Sequence, residues 1–580
     1  LTYQIIDNFA AGLDTRKSPL TSPAGTLTRL INAAITPGGE IQKRRAFVAV
    51  ANVAGSFGLA STESTLYVFG RSAVPSLPTW PVAGVSLKAL SIPNGSTGLD
   101  QVDYDTFDGK VYLSCIDTNV ALNADGTVPP GRNPHYWDPS TTTPGTGMVL
   151  TEGAGKGYHV RTYQSKVYAV LGRNLSFSAV GNPFIWNAAT IVNSVNVSSL
   201  SNTNPARCTV AVGDITKFSN GKRIMVSGAD ELHGLANGLH TISAVNTPAN
   251  TFILDDVDCS GAAAAQTTGV KIDDQPTAGR GYINLSMQDA DSETLTSLEV
   301  YYDKLSVFSS EAVQIWAVDP DPAQNSFTQL LRAAGTLAPR SPLQYGSGDV
   351  LYLDQSGIRS LKAKDSSNSA AVSDIGSPVD PTIQSLLASK GQAYMDKAIA
   401  LLEPSVGRFW MVFPDLVLVL SYFPGPKITA WSMYTLNFTV KHAVTCGGRI
   451  FFRSIDDIIY AFGGITGTEF DNCGVEVRLP YLDGKKPGHK KQFAAIDATV
   501  NGPSQLGPAT GAWRVAVSFD FNNADQEETV GTINAPTWNM GASELQGYDS
   551  HFSLRFYNND TGAATISNCA IHYSVADDEA

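Results

Sequence analysis

Short apolar runs, each closed by a turn and answered by a second run, recur along most of the chain. Residues 305–308 (Leu-Ser-Val-Phe) are opened by Asp303-Lys304, turn at Ser309-Ser310-Glu311 and return as residues 313–316 (Val-Gln-Ile-Trp). Residues 350–353 follow Gly348-Asp349, turn at residues 354–357 and begin their return at Ile358. Runs this short, bounded by turn formers, predict β-hairpins rather than helices. The signature returns at residues 66–69, 109–113, 165–170, 407–412 and 448–452, seven copies in all. Their starts lie roughly 40 to 60 residues apart, with one gap of about 140, which is the period of propeller blades. A lone hairpin cannot bury its apolar face, whereas blades packed around an axis bury theirs against neighbours. The competing expectation is a sandwich whose hairpins merely look alike.

The pattern changes in four places. In residues 1–47 a turn-like Phe9–Asp14 stretch and two Ser-Pro steps precede Leu27, Leu30 and Ile31, whose i, i+3, i+4 spacing predicts a short amphipathic helix. Near residues 381–402, Asp380-Pro381 reads as an N-cap and first helical position. Two apolar stripes follow, Ile383, Leu386 and Leu387, then Met395, Ala398, Ile399 and Leu402, with Gly391 between them. Inside the long gap, residues 193–272 alternate strands with Asn-Gly turns and predict a compact barrel inserted in a blade connection. After residue 470, Trp513, Val515, Val517 and Phe519 alternate with wetter positions, as do Phe552, Leu554 and Phe556, which predicts a sandwich.

The expected fold is therefore mainly β: a β-propeller of about six to eight blades with an inserted small β-barrel and a C-terminal β-sandwich-like domain. Its divisions are an N-terminal arm (1–47), a first propeller part (48–192), the barrel (193–272), a second propeller part with the short helices (273–470) and the terminal domain (471–580).

Composition narrows the function. With 43% hydrophobic residues the 580-residue chain can bury substantial cores, and 52 Gly and 31 Pro against 16% charged residues suit a turn-rich β protein. A net charge of −13 argues against a coat for nucleic acid or anionic membrane. The six cysteines are far apart and show no ligand spacing, so neither a zinc site nor a disulfide framework is expected. The apolar run at residues 416–420 is far below the ~20 residues that span a bilayer and reads as a central strand. No charged and apolar leader opens the sequence.

No catalytic signature emerges. There is no sialidase-type Asp-box, nucleophile elbow, Walker A sequence or His-Glu-x-x-His. The run Asp103-Tyr104-Asp105-Thr106-Phe107-Asp108-Gly109 only loosely resembles a calcium loop and reads as turn chemistry. The most basic stretch, Gly484 to Lys491 with Lys485, Lys486, Lys490 and Lys491, reads as a solvated loop or a contact for an acidic partner. No catalytic, cofactor-binding or metal-ligating residue is expected.

The order of these motifs resembles one family. A Gly-rich turn with Leu13-Asp14, then Leu27, Leu30 and Ile31, then Asn32-Ala33 and Ile41-x-Lys43-Arg44 before the first blade is similar to the opening of tail nozzle proteins of short-tailed bacteriophages, also called tail tubular protein B or tail hub proteins. The helical pair, the hairpin of residues 408–422 and Trp431 are similar to a later part of those proteins, and residues 193–272 resemble a small barrel that recurs as an insertion in phage structural proteins. The resemblance implies a virion protein of the tail, a ring-forming nozzle, as a homohexamer, contacting a head-to-tail adaptor ring and tail fibre or tail tip proteins. Viral double-stranded DNA would pass through its lumen without sequence-specific binding. Because the arm has only a few apolar residues and no obvious sheet of its own, it is expected to dock, through Leu13, Asp14, Leu27, Leu30, Ile31, Lys43 and Arg44, on a neighbouring subunit or the adaptor rather than complete its own core. The alternative is a carbohydrate-binding or carbohydrate-cleaving propeller on a phage tail or cell surface.

Overall fold

The computed structural model describes residues 2–71, 75–91, 98–107, 109–117, 135–137, 148–150, 159–181, 194–221, 223–273, 281–285, 293–367, 374–501, 513–519, 521, 527–533 and 548–575. Among the described residues seven groups of strands follow one another along the chain, six of them separate small sheets and one, the sixth, part of a larger sheet. Their first strands are Ser56–Ser61, Leu99–Phe107, His159–Tyr163, Leu295–Tyr301, Leu343–Tyr345, Ile399–Glu403 and Val440–Cys446. Each of these touches the next, and the seventh touches the first, so the sheets close into a ring of seven blades about one axis. The ring is latched by pairing across the whole sequence: Phe47–Asn52 supplies the outer strand of blade seven against Ile458–Phe462. The seven recurring signatures coincide with the second strands of the blades, such as Lys304–Ser309 and Asp349–Leu353. These strands have neighbours on both edges and are buried, which is why their sequences are almost wholly apolar.

The barrel lies between the third and fourth strands of blade three, Asn174–Phe177 and Gly281–Asn284. Its six strands close fully and enclose a separate core that includes Val195, Cys208, Ile224, Ile242, Phe252 and Ile272. Its first and last strands, Ser194–Leu200 and Lys271–Asp273, pair with Ser194 opposite Asp273, so the chain enters and leaves at the same end.

Residues 1–47 correct two expectations. They form short strands instead of a helix: Gly12–Leu13, Thr26–Leu27, Arg29–Ile31, Ala33–Ile35 and Ile41–Lys43. They also are not a free arm, because Arg29–Ile31 sits between Ile428–Thr435 of blade six and Val475–Arg478 of the terminal domain. Blade six and the terminal domain thereby become one eleven-stranded sheet. Across from it, Thr2–Ile6 and Ile41–Lys43 both pair with Thr565–Val575 in a second sheet. Phe9, Leu13, Leu27, Leu30, Ile35 and Ile41 are buried in a single core shared with Trp431, Phe493, Trp513 and Phe556. The i, i+3, i+4 spacing arises because Leu27 ends one short strand and the buried Leu30 and Ile31 end the next, with the break between the two strands at Thr28; a second break follows at Asn32, at φ 56°. Its side chain stitches the joint, with the amide donating to the Gly474 carbonyl at 2.7 Å and the Thr435 hydroxyl at 2.9 Å.

A second correction falls at residues 380–403. The first helix runs Asp380–Lys390, capped by Val379 rather than Asp380, and Gly391, at φ 80°, ends it. The carboxylate of Asp380 is taken instead by Arg359, which donates to both of its oxygens at 2.8 and 3.0 Å. The second apolar stripe splits: Gln392–Met395 is one helical turn, and Ile399–Glu403 is the innermost strand of blade six.

Candidate functional site

The seven innermost strands surround an axial cavity of about 510 Å³. Each of them is the inner edge of its sheet, with backbone groups that no further strand satisfies, so those groups need partners from side chains. Gln101 meets this need between blades two and one. Its amide accepts from Leu59 N–H at 2.6 Å and donates to the Leu59 carbonyl at 2.9 Å, copying a strand pair. Asp103 and Asp105 do the same between blades two and three. Val160 N–H donates to Asp103 Oδ2 at 3.2 Å and Thr162 N–H to Asp105 Oδ2 at 2.5 Å.

Arg161 sits at the centre of the charged cluster. Its Nη1 donates to Asp103 Oδ2 and its Nε to Glu299 Oε2, both at 2.9 Å, so one guanidinium ties blade three to blades two and four. His159 faces Asp103 with Nδ1 at 3.5 Å from Oδ2. Arg340, on the approach to blade five, donates across to the Lys441 carbonyl of blade seven at 3.2 Å. His442 turns Nδ1 towards Arg453 Nη1 at 3.4 Å.

Burial opposes the charge on Asp103, but Arg161, the His159 ring and the Val160 N–H outweigh it and hold the carboxyl below its ordinary value. Asp105 has weaker help. Burial raises it to about 6 against the pull of Arg161 and two backbone N–H groups. Burial also holds His159 below its ordinary value, and burial with Arg340 and Arg453 pushes His442 well below it. Both rings are therefore neutral at pH 7.

These shifts give a signed pH prediction. Asp105 is raised on folding from 3.8 to about 6, so the folded chain holds its proton more tightly. Its contribution to stability is largest below the unfolded value and falls as pH rises through 6. Asp105→Asn removes this dependence, while Asp103, Glu299, Arg161 and His159 around it remain common to both proteins. Between about pH 4.5 and 7.5 the unfolding free energy of wild type relative to the variant is expected to fall by about 2 kcal/mol. Parallel denaturation profiles would contradict it.

The cavity thus holds acids whose oxygens are spent on backbone donors and on one arginine. Among the described residues no group of three or more His, Cys, Asp or Glu is placed to hold a metal. Five cysteines are buried thiols and Cys473 is half-buried. Sequence reasoning missed this cluster. It placed Asp103 and Asp105 in a turn, whereas Leu99–Phe107 is a strand and they line the axis. The available signal was a charge inside a β-branched or apolar run, as in Val160-Arg161-Thr162 and Leu298-Glu299-Val300.

Most of the expected partner contacts point inwards. Leu13, Leu27, Leu30 and Ile31 are core, and Asp14 pairs with Arg16 at 2.7 Å. Lys43 is buried and donates from Nζ to Asn558 Oδ1 at 3.1 Å and to the Asp560 carbonyl. Arg44 is buried against Asp471 at 2.9 Å, with its guanidinium 4.5 Å over the Phe47 ring. Lys491 is fully buried, with Nζ donating to the carbonyls of Lys486, His489 and Ser550 at 2.7, 2.8 and 3.0 Å. Lys485, Lys486 and Lys490 remain exposed.

No protein-family model matches the chain, and no curated protein matches it. Among solved structures it is similar to BamB from Moraxella catarrhalis, at 9% identity over 73% of this chain and 97% of that one, with a TM-score of 0.29. It is also similar to the Pan2 WD40 domain of Neurospora crassa, at 8% identity over 63% and 89% of the two chains, with a TM-score of 0.27. Scores this low carry no argument about function, and the propeller stands on the chain's own strand pairing: seven sheets in a closed ring, latched by Phe47–Asn52.

Proposed function

We propose that the chain is a virion structural protein, the nozzle subunit of a short phage tail. Copies assemble as a ring, a homohexamer as in the family it resembles. The ring lies between a head-to-tail adaptor ring and tail fibre or tail tip proteins, and double-stranded DNA passes along its lumen during genome ejection without being read. The observation that carries this reading is the continuity of the body. Blade six, residues 1–47 and the terminal domain share one eleven-stranded sheet and one core, so no hinge separates the propeller from its appendage. A conduit part has to transmit load without bending, and a continuous sheet does so.

The axial cavity supports a mechanical role, because its carboxylates are engaged in holding blades together. The net charge of −13 favours an acidic or neutral ring lumen, since a lysine-rich lining would add a counterion-release binding contribution at every phosphate contact and hold the DNA. Antibodies raised against the chain are expected to decorate the tail vertex of phage particles that carry it. Labelling of the capsid, or particles without label, would contradict the assignment.

One observation favours the second reading, a carbohydrate-binding or carbohydrate-cleaving propeller. Asp105, raised to about 6, lies beside Asp103, which is held low, and a split of this kind marks acid–base pairs. Against it, Asp105 accepts from Thr106 N–H at 2.8 Å through one oxygen and from Thr162 N–H through the other. Turnover of a defined glycan that disappears in Asp105→Asn would favour this reading.

A further inference from the structure

The barrel and the terminal domain carry oppositely charged surfaces on nearly opposite flanks of the propeller, and we propose that they dock head to tail between copies of this chain. The inference deepens the ring reading above and rests on it.

The barrel's strand order fixes which end is free. Because Ser194 and Asp273 lie side by side at the attached end, the connection from Arg223–Ser227 to Gly238–Asn246 and the segment after Thr251–Leu254 lie at the far end. That end presents the short 3-10 helix Glu231–Ala236. Leu232 and Leu235 are 65% and 71% exposed, more than any other large apolar side chain among the described residues except Val212, which belongs to the attached end. The two leucines stand on either side of a kink at His233, and both are exposed at this end. Asp230 and Glu231 precede the leucines in sequence, and Asp256 and Asp258 are exposed on the segment after Thr251–Leu254 at the same end.

The tip is held in shape. Asp230 Oδ1 accepts from His233 N–H at 2.9 Å, and Asp256 Oδ1 lies 2.8 Å from His240 Nδ1. The opposing surface is the loop bearing Lys485, Lys486 and Lys490. The buried Lys491 ammonium pins its backbone from within, and Asp483 Oδ1 accepts from Lys485 N–H at 2.8 Å. Both surfaces are therefore ordered before they meet, which lowers the entropic cost of docking. Exposed apolar side chains among acidic ones, opposite a patch of the other sign, suit a specific contact.

Placement decides the partner. The barrel hangs from blade three and the terminal domain extends from blade six, three blades apart in a ring of seven. A patch whose complement lies on the far flank of the same molecule is satisfied by a second copy, and repeating that heterologous contact generates a ring.

The test uses full-length protein and sedimentation velocity. One variant alters the tip (Glu231→Lys, Leu232→Ser, Leu235→Ser) and another the loop (Lys485→Glu, Lys486→Glu), with unchanged melting curves as the control; Glu231→Lys alone serves if the triple variant does not fold. Each variant alone is expected to lose at least tenfold in self-association. An equimolar mixture is expected to form one-to-one heterodimers, since it retains a single intact tip–loop pair. Wild type that associates while both variants associate equally well would overturn the docking and leave the ring reading standing. Wild type that stays monomeric at every concentration would overturn both.

Discussion

Deleting residues 1–47 is expected to abolish the folded protein. Arg29–Ile31 is an interior strand of the sheet that joins blade six to the terminal domain, so its removal breaks that sheet in two. Leu27, Leu30, Ile35 and Ile41 leave the core with it, all at 0% exposure. A single buried Leu→Ala change costs about 2–5 kcal/mol, and a whole domain is stable by only about 5–15 kcal/mol. The truncated chain should be recovered in inclusion bodies or show no cooperative melt, and Leu30→Ala alone should lower the unfolding free energy by about 2–5 kcal/mol. A truncated chain that melts like the full protein would restore the arm expected from the sequence, one that docks on a neighbour and adds nothing to its own core.

Replacing Arg161 should have the next largest effect. Its guanidinium is the ion-pair partner of both Asp103 and Glu299, whose side chains are 10% and 8% exposed. Arg161→Met leaves two carboxylates facing each other in a low-dielectric cavity, and stripping a buried pair of one partner costs about 3–5 kcal/mol. The triple variant Arg161→Met, Asp103→Asn, Glu299→Gln removes the stranded charge and should recover part of that loss. Chemical denaturation of the three proteins checks the ordering. An Arg161→Met protein as stable as wild type would mean that the cavity network holds nothing together.

What was legible in the sequence follows from where the information sits. Blade second strands are buried on both faces and bounded by turns, so their local pattern reports them faithfully. The barrel was legible for a similar reason, since its Asn-Gly turns and its core are local. Residues 1–47 were not, because their strands are two to five residues long and the pairings that tie them to the rest of the fold lie hundreds of positions away, as with Thr2 opposite Tyr573. Over so short a span, strands interrupted at Thr28 and a helical turn give the same apolar spacing. Charge misled in a related way. Lys43, Arg44 and Lys491 look like surface cations until Asn558, Asp471 and the carbonyls of the 486–489 turn are brought to them by the fold. The axial cluster was hidden for the opposite reason: Asp103 and Asp105 satisfy the backbone of a neighbouring blade, which no local window contains.

The proposed role as one subunit of a ring around a DNA channel can be checked by single-particle electron microscopy of the purified full-length protein. Closed rings are expected, with a lumen that admits duplex DNA and is lined by acidic or neutral side chains, and with Lys485, Lys486 and Lys490 away from the wall. Monomers at every concentration, or a continuous lysine- and arginine-lined channel, would contradict it.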